Sequence, residues 1–391
     1  MQSNQNNQGS SYFNMVKEIC LASESDSEKI VYSTDASTVK GQTLIVAWPS
    51  SAAELQKLVR LAIREKLSIV ARGGGTGLVG SAVPQNAIVV DMAKFDKIKN
   101  LNREEKTVVA EAGVVLDDLN EVLKGYNLTF PVEPSSHASC TIGGMISTNA
   151  AGILTLRYGK TSDLIQALTI MDGTGKVFVI EGDEARNLAG TEGSCCIILE
   201  AKLKLSPSEI YYPDFLVFDS ISQLVSKAKE LEKEKDIVAI EYINSLAAKF
   251  AGFESKEYLL IKRTKAVERD KAARLWGMRD NLYSVLVEKG YSRIEDPYIP
   301  EENIEKFLTW LKSKGIPCFG HFASGIFHPH FRNMEETEKM KEAVTLLNGK
   351  LAGEHGIGIL KRKDAPFWLT QKVKNLKEKY DPSNILNKGK F

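Results

Sequence analysis

Apolar positions in this chain recur with two periods, and the switches between them mark out elements. Leu44-Ile45-Val46-Ala47 is an uninterrupted apolar run closed by Pro49, the pattern of a buried strand. Behind it, Ser51-x-x-Glu54 reads as a capping box. Leu55, Leu58, Val59, Ala62 and Ile63 then fall at i, i+3, i+4, i+7 and i+8, one face of a helix. Ser68 to Ala71 and Ala87-Ile88-Val89-Val90 predict two more strands. Asn102 to Lys106 reads as a polar turn before a strand at Thr107 to Glu111, with a helix from Leu116 to Lys124. A hairpin follows, Leu164–Met171 and Lys176–Ile180 around Asp172-Gly173-Thr174-Gly175, and then a strand at Ile197–Leu205 closed by Pro207. Residues 131–160, in between, are low in periodicity and rich in Gly, Ser, Thr, Asn and Ala. So long a loop-like stretch inside a compact domain marks function.

Near residue 210 the texture changes, and a domain boundary is expected there. Ser220-x-x-Gln223 reads as the cap of a charged helix ending near Lys235. Strands at Val238–Ile243 and Tyr258–Ile261 follow, with helices from about Glu268 to Lys289 and from Glu301 to Lys314. That order predicts an α+β sandwich.

Composition narrows the function classes. The chain has 391 residues, enough for two domains with their own cores, and a formal net charge of +1, so no bulk charge draws it to nucleic acid. No apolar stretch approaches membrane-spanning length. Met1 to Ser10 is polar without a basic residue, and reads as a disordered tail rather than a targeting segment. The five cysteines (Cys20, Cys140, Cys195, Cys196, Cys318) form no Cys-x-x-Cys, which argues for a reducing compartment and against an iron–sulfur cluster in this chain.

Two constellations carry chemistry. Directly after the apolar run Ser68-Ile69-Val70 comes Ala71-Arg72-Gly73-Gly74-Gly75-Thr76-Gly77. A strand entering so bare a ribbon lets backbone N–H groups converge on an anion, most simply a nucleotide phosphate. The spacing fits neither a P-loop nor a Rossmann fingerprint. The second lies in Gly320-His321-Phe322-Ala323-Ser324-Gly325-Ile326-Phe327-His328-Pro329-His330 and Gly353-Glu354-His355-Gly356-Ile357-Gly358, which hold four of the five histidines. Two imidazoles and a carboxylate suit zinc or another divalent ion with an open position, and an adjacent histidine suits a base near neutral pH. By spacing alone, either His328 or His330 serves as the second ligand.

Together these motifs resemble the FAD-linked oxidases and dehydrogenases of the vanillyl-alcohol oxidase fold, in the D-2-hydroxy-acid dehydrogenase and glycolate oxidase catalytic-subunit branch. The resemblance runs from about Tyr32 to Asp381-Pro382-Ser383-Asn384-Ile385-Leu386-Asn387. It implies an α+β fold: a two-subdomain PCMH-type FAD-binding domain at 31–210, a smaller ferredoxin-like cap domain for substrate at 211–340, and a C-terminal segment, 341–391, returning to the FAD domain. Residues 1–30 are then a polar tail and an N-terminal helix. The resemblance also implies that Arg72, Gly73, Gly74, Gly75, Thr76 and Gly77 wrap the FAD pyrophosphate. Glu133, Pro134, Ser135, Thr141, Gly143, Gly144, Asn149, Ala151, Gly152 and Tyr158 belong to loops that enclose the flavin. With no histidine in the first ribbon the FAD is expected to be noncovalent, and His137 is a loop residue.

On the same resemblance His321, His328 and Glu354 hold a divalent metal, zinc or manganese, His355 is the general base and Arg279 grips the substrate carboxylate with its fork. The implied reaction is oxidation of a small D-2-hydroxy acid to the 2-oxo acid. Electrons leave to a quinone, an iron–sulfur or a flavoprotein partner, or O2, in the cytoplasm or at the inner face of a membrane. The alternatives are a same-fold oxidase of an alcohol or sugar acid and a catalytically silent electron-transfer subunit. Departures from the family pattern fall at Ser324-Gly325-Ile326-Phe327, His330, Cys195-Cys196 and Ile294. They bear on substrate more than on cofactor and favour a monocarboxylate.

Overall fold

The computed structural model describes residues 11–267 and 271–391. The expected tail at 1–10 and the expected helix start at Glu268 lie outside them. Among the described residues no helix is long and apolar enough to cross a membrane.

The first sheet is built around a parallel core. Its order is Leu21–Ser23, Gln42–Trp48, Gln85–Asp91, Ser68–Arg72, the last three parallel. Helix Ala52–Glu65 makes the crossover and lays Leu55, Leu58, Val59 and Ala62 into the core. The Ser51 hydroxyl accepts the Glu54 N–H at 3.2 Å, as its spacing predicts; the Glu54 carboxylate reaches Ser50 instead, at 2.7 Å from its N–H, so the box is only half formed. Ser68–Arg72 would be a bare edge, but the C-terminal segment covers it: Ile69 N–H donates to the Ile385 carbonyl (2.8 Å) and Asn387 N–H to the Ile69 carbonyl (2.7 Å).

The second sheet is antiparallel, in the order Ile98–Asn102, Thr107–Glu111, Cys196–Lys204, Ile165–Asp172, Val177–Glu181. It shares one continuous apolar core with the first sheet, into which Val373, Tyr380, Ile385 and Leu386 of the C-terminal segment also pack. Residues 131–160 are less irregular than their composition predicts. They hold a helix at Ile142–Thr148, whose first turn is capped by Thr141, and a short one at Thr155–Tyr158. Two glycines at its start hide the first helix from any periodicity count.

The third sheet has six antiparallel strands, in the order Tyr212–Phe218, Glu257–Arg263, Ile237–Ile243, Cys318–His321, Ile326–Phe331, Arg293–Ile294. Both faces are buried. Ile240, Tyr242, Leu259 and Ile261 pack under helices Ile221–Leu231 and Ile304–Lys314, while Ala239, Ile243, Leu260 and Phe319 pack against helix Ala272–Glu288. Ser220 precedes the first of these helices without the side-chain cap its spacing suggests.

The register of this sheet sets up the site. Glu241 sits opposite His321, and Phe319 opposite His328. His321 and His328 are therefore diagonal neighbours on one face. The chain reverses between them through Phe322–Ser324 and Gly325, whose φ of +64° is the left-handed conformation that a glycine accepts without strain.

Candidate functional site

Parallel strand Ser68–Arg72 delivers the glycine ribbon at its C-terminal end, where open α/β sheets bind ligands. Arg72 turns back, its Nη1 donating to the Thr34 carbonyl at 2.6 Å and its guanidinium lying 5.3 Å from the Tyr32 ring centroid. The ribbon faces the 133–152 loops across a cavity of about 430 Å³. Arg72, Gly73, Gly74, Gly75, Thr76, Gly77, Glu133, Pro134, Ser135, Thr141, Gly143, Gly144, Ala151 and Gly152 all line it.

Asn149 and Tyr158 do not line it. Asn149 is the left-handed C-cap of helix Ile142–Thr148, with φ +52°, and its Oδ1 accepts the Ser162 N–H at 2.9 Å. The Tyr158 hydroxyl pairs with that of Tyr211 at 2.8 Å. His137, on the surface beside the cavity, pairs with Asp117 at 2.8 Å.

The glycines close the ribbon onto its facing loops. A Cβ at Gly73 would come within 2.1 Å of Thr141 Oγ1, one at Gly74 within 2.0 Å of the Ser139 carbonyl oxygen, and one at Gly152 within 2.1 Å of the Glu133 carbonyl oxygen. The cradle is therefore walled by backbone and small side chains that any larger residue would push apart, and it suits a phosphate-bearing dinucleotide. Gly152→Ala is expected to cost about 1–3 kcal/mol of stability through overpacking and to lower bound flavin per chain. Thermal unfolding and the flavin absorbance-to-protein ratio check both.

The same cavity continues to Arg279, His321, His328, Glu354 and His355, so residues up to 283 apart in sequence share one space. His328 Nε2 lies 3.1 Å and His321 Nε2 3.4 Å from Glu354 Oε1. Ligand atoms of all three residues fall within 4.8 Å of one another. His321 Nδ1 is 2.5 Å from Glu241 Oε1, which fixes its ring with Nε2 turned into the cluster. Glu354 Oε2 and His328 Nδ1 are buried without a hydrogen-bond partner among the described residues. Two imidazoles fixed around a carboxylate with an unmatched oxygen fit a divalent cation. His330 is not in the cluster: its Nδ1 is 3.0 Å from the Tyr291 carbonyl oxygen and its ring packs on Phe319 and Tyr283.

His355 stacks on His328, ring centroids 5.2 Å apart and planes 11° apart, with Nε2 4.0 Å from Glu354 Oε1 and Nδ1 3.6 Å from Asp296 Oδ1. Arg279 is buried rather than a solvated helix residue. Its Nε and Nη2 both donate to Glu241 Oε2, at 2.9 and 2.7 Å, and its Nη1 points to Ser135 Oγ at 3.3 Å. Nε and Nη2 are therefore taken by Glu241, while Nη1 faces Ser135 with Asp280 Oδ1 3.9 Å away.

Charge is matched tightly here. Burial alone would lower the His321 pKa, but the Glu241 and Glu354 carboxylates raise it to about 10. Burial would raise that of Glu354, but His321 and His328 hold it well below the usual carboxylate range. Burial pushes His355 down to about 4, with Asp296 opposing, which leaves a neutral imidazole at physiological pH. Glu241 is kept below its ordinary value by His321 and Arg279 against the effect of burial.

Glu241 and Asp296 are residues that sequence reasoning did not single out, and Glu192 entered it only as the start of Glu192-Gly193-Ser194-Cys195-Cys196. Of the first two, Glu241 left a local signal, an acid inside the otherwise apolar run Ile237–Ile243.

Comparison with known proteins agrees with this layout. A family model described as FAD binding domain matches residues 43–181, and one described as FAD linked oxidases, C-terminal domain, matches residues 230–391. The D-lactate dehydrogenase of Archaeoglobus fulgidus is 26% identical over 89% of this chain and 91% of its own. Glycolate oxidase subunit GlcD of Bacillus subtilis is 27% identical over 94% and 93%. A D-2-hydroxyglutarate dehydrogenase of Xanthomonas citri is 24% identical over 89% of both. Among solved structures an alkyldihydroxyacetonephosphate synthase superposes with a TM-score of 0.68, covering 97% of this chain and 85% of its own at 18% identity, which is a likeness of fold.

Proposed function

This chain belongs to the FAD-linked oxidases and is an FAD-dependent oxidoreductase, and on that premise we propose that it oxidises a small D-2-hydroxy acid, of the D-lactate or glycolate type, to the 2-oxo acid. The observation that carries this reading is a single cavity in which a glycine-walled cradle, one guanidinium edge and a neutral imidazole converge beside the His321–His328–Glu354 cluster. FAD, held noncovalently by the ribbon and the 133–152 loops, supplies the hydride acceptor. Zinc or manganese on His321, His328 and Glu354 supplies a Lewis acid for the substrate hydroxyl.

The rest is the work of the side chains. Arg279 Nη1 takes one oxygen of the substrate carboxylate and sets its orientation. His355 Nε2 accepts the hydroxyl proton as the carbon-bound hydrogen leaves with its electron pair, which gives the 2-oxo acid. Ile294 and Tyr283 line the cavity, and neither offers a cation for a second carboxylate, which supports a monocarboxylate. The proposal extends to a quinone, iron–sulfur or flavoprotein acceptor and to a place in the cytoplasm or at the inner face of a membrane.

Steady-state oxidation with an artificial acceptor dye, across D- and L-lactate, glycolate, D-2-hydroxyglutarate and gluconate, tests the reading. Turnover is expected with D-lactate or glycolate over the others, lost on dialysis against a chelator and restored by zinc or manganese. Preference for L-lactate or for gluconate would contradict it.

A further inference from the structure

The loop that carries Glu354 and His355 is held in an unusual way. Asp296 Oδ2 accepts three successive backbone N–H groups, from Gly353 at 3.0 Å, Glu354 at 2.6 Å and His355 at 2.7 Å. Two residues on, Glu192 accepts Ile357 N–H at 2.5 Å through Oε1 and Gly358 N–H at 2.8 Å through Oε2. Five of the six amides from 353 to 358 thus end on two buried carboxylates.

Those carboxylates come from different domains. Asp296 follows the short edge strand Arg293–Ile294 of the six-stranded sheet and is ion-paired to Lys361, whose Nζ also meets Glu295 Oε2 at 3.0 Å. Glu192 stands beside the first domain's second sheet, with φ +52°, a left-handed conformation for a non-glycine residue. Its backbone is tied on both sides: its N–H donates to the Ser147 carbonyl at 2.8 Å, and its carbonyl accepts from Asn387 Nδ2 at 2.6 Å. Gly356, at φ +89°, lets the loop approach; a Cβ there would come within 2.3 Å of Glu192 Oε1.

We propose that Asp296 and Glu192 are paired positioning residues for Glu354 and His355. One carboxylate from each domain grips the loop, so the seating of the second domain on the first sets where the metal ligand and the base stand in the cavity. Simple loop closure does not need two desolvated carboxylates. A fixed acceptor for several amides does define the loop's height to a fraction of an ångström. Displacement of a reacting group by about 1 Å costs on the order of 100-fold in rate. The inference rests on the roles given to Glu354 and His355 under the proposed function.

The test uses the full-length, FAD-loaded protein with Asp296→Asn and Glu192→Gln, each a nearly isosteric change. Zinc affinity is read by calorimetry, and flavin reduction is followed at saturating D-lactate or glycolate. Asp296→Asn is expected to weaken zinc binding by about 10–100-fold and both variants to slow flavin reduction by about 100-fold. KM should move little, because Arg279 is untouched, and flavin content should hold. Variants that only melt earlier, with zinc affinity and the reduction rate of the folded fraction unchanged, would overturn the proposal. Should Asp296→Asn fail to fold, Glu192→Gln decides by the kcat-against-KM split. If no hydroxy acid reduces the wild-type flavin, the substrate reading falls and the zinc titration of Asp296→Asn alone decides this one.

Discussion

Replacing His355 by alanine is expected to slow substrate oxidation by about 10²–10⁴-fold while the protein stays yellow. The imidazole is a neutral base that faces the cluster without belonging to it. Its Nε2 is turned toward Glu354, and its ring is fixed against His328. The proposed flavin cradle, formed by the ribbon and the 133–152 loops, does not include His355, so cofactor content should be unchanged. Single-turnover reduction of the bound flavin, measured beside its absorbance per chain, separates the two effects. A variant that reduces flavin at the wild-type rate would remove His355 from the chemistry.

Glu241→Ala is expected to do damage of a different kind. Glu241 is 1% exposed and lies between the Arg279 guanidinium and the His321 imidazole. Without it the buried guanidinium keeps only the more distant Asp280 carboxylate, 3.9 Å from Nη1, a loss of roughly 3–5 kcal/mol of stability. His321 also loses the partner that fixes its ring, which lowers metal affinity by about 10–100-fold. Glu241→Gln keeps an acceptor for either neighbour and should recover most of the stability but less of the affinity. Chemical denaturation and zinc titration of both variants check this. Equal stability of Glu241→Ala and wild type would show that Arg279 finds solvent or another anion.

The sequence made the first domain largely legible because its strands are apolar runs closed by proline or glycine, and the helix Ala52–Glu65 carries both its stripe and its cap. Two of the strands it missed have weak local signals. Ile98–Asn102 alternates with lysine and asparagine, and Cys318–His321 is short and holds a glycine and a histidine. Each is a strand because a stronger one lies beside it: Thr107–Glu111 for the first, Ile237–Ile243 for the second.

The site divides in the same way. The ribbon and the histidine cluster are dense in sequence and could be read there. Spacing could not separate His328 from His330, since both lie on one face of the same strand, and the family resemblance selects His328. In the structure the Tyr291 carbonyl holds His330 apart from the cluster. The expected two-pronged grip of Arg279 was halved by Glu241, 38 residues away, and the carboxylates on the 353–358 loop come from 57 and 165 residues upstream. Apart from the acid in the apolar run Ile237–Ile243, such pairings leave no local trace.

Anaerobic titration of the purified, FAD-loaded protein with D-lactate and with glycolate, following the oxidised-flavin band, tests the central claim most directly. Stoichiometric bleaching by one of these acids, with the 2-oxo acid recovered, is the expected result. A protein that takes up no FAD, or one that stays fully oxidised under every D-2-hydroxy acid offered, would contradict the account.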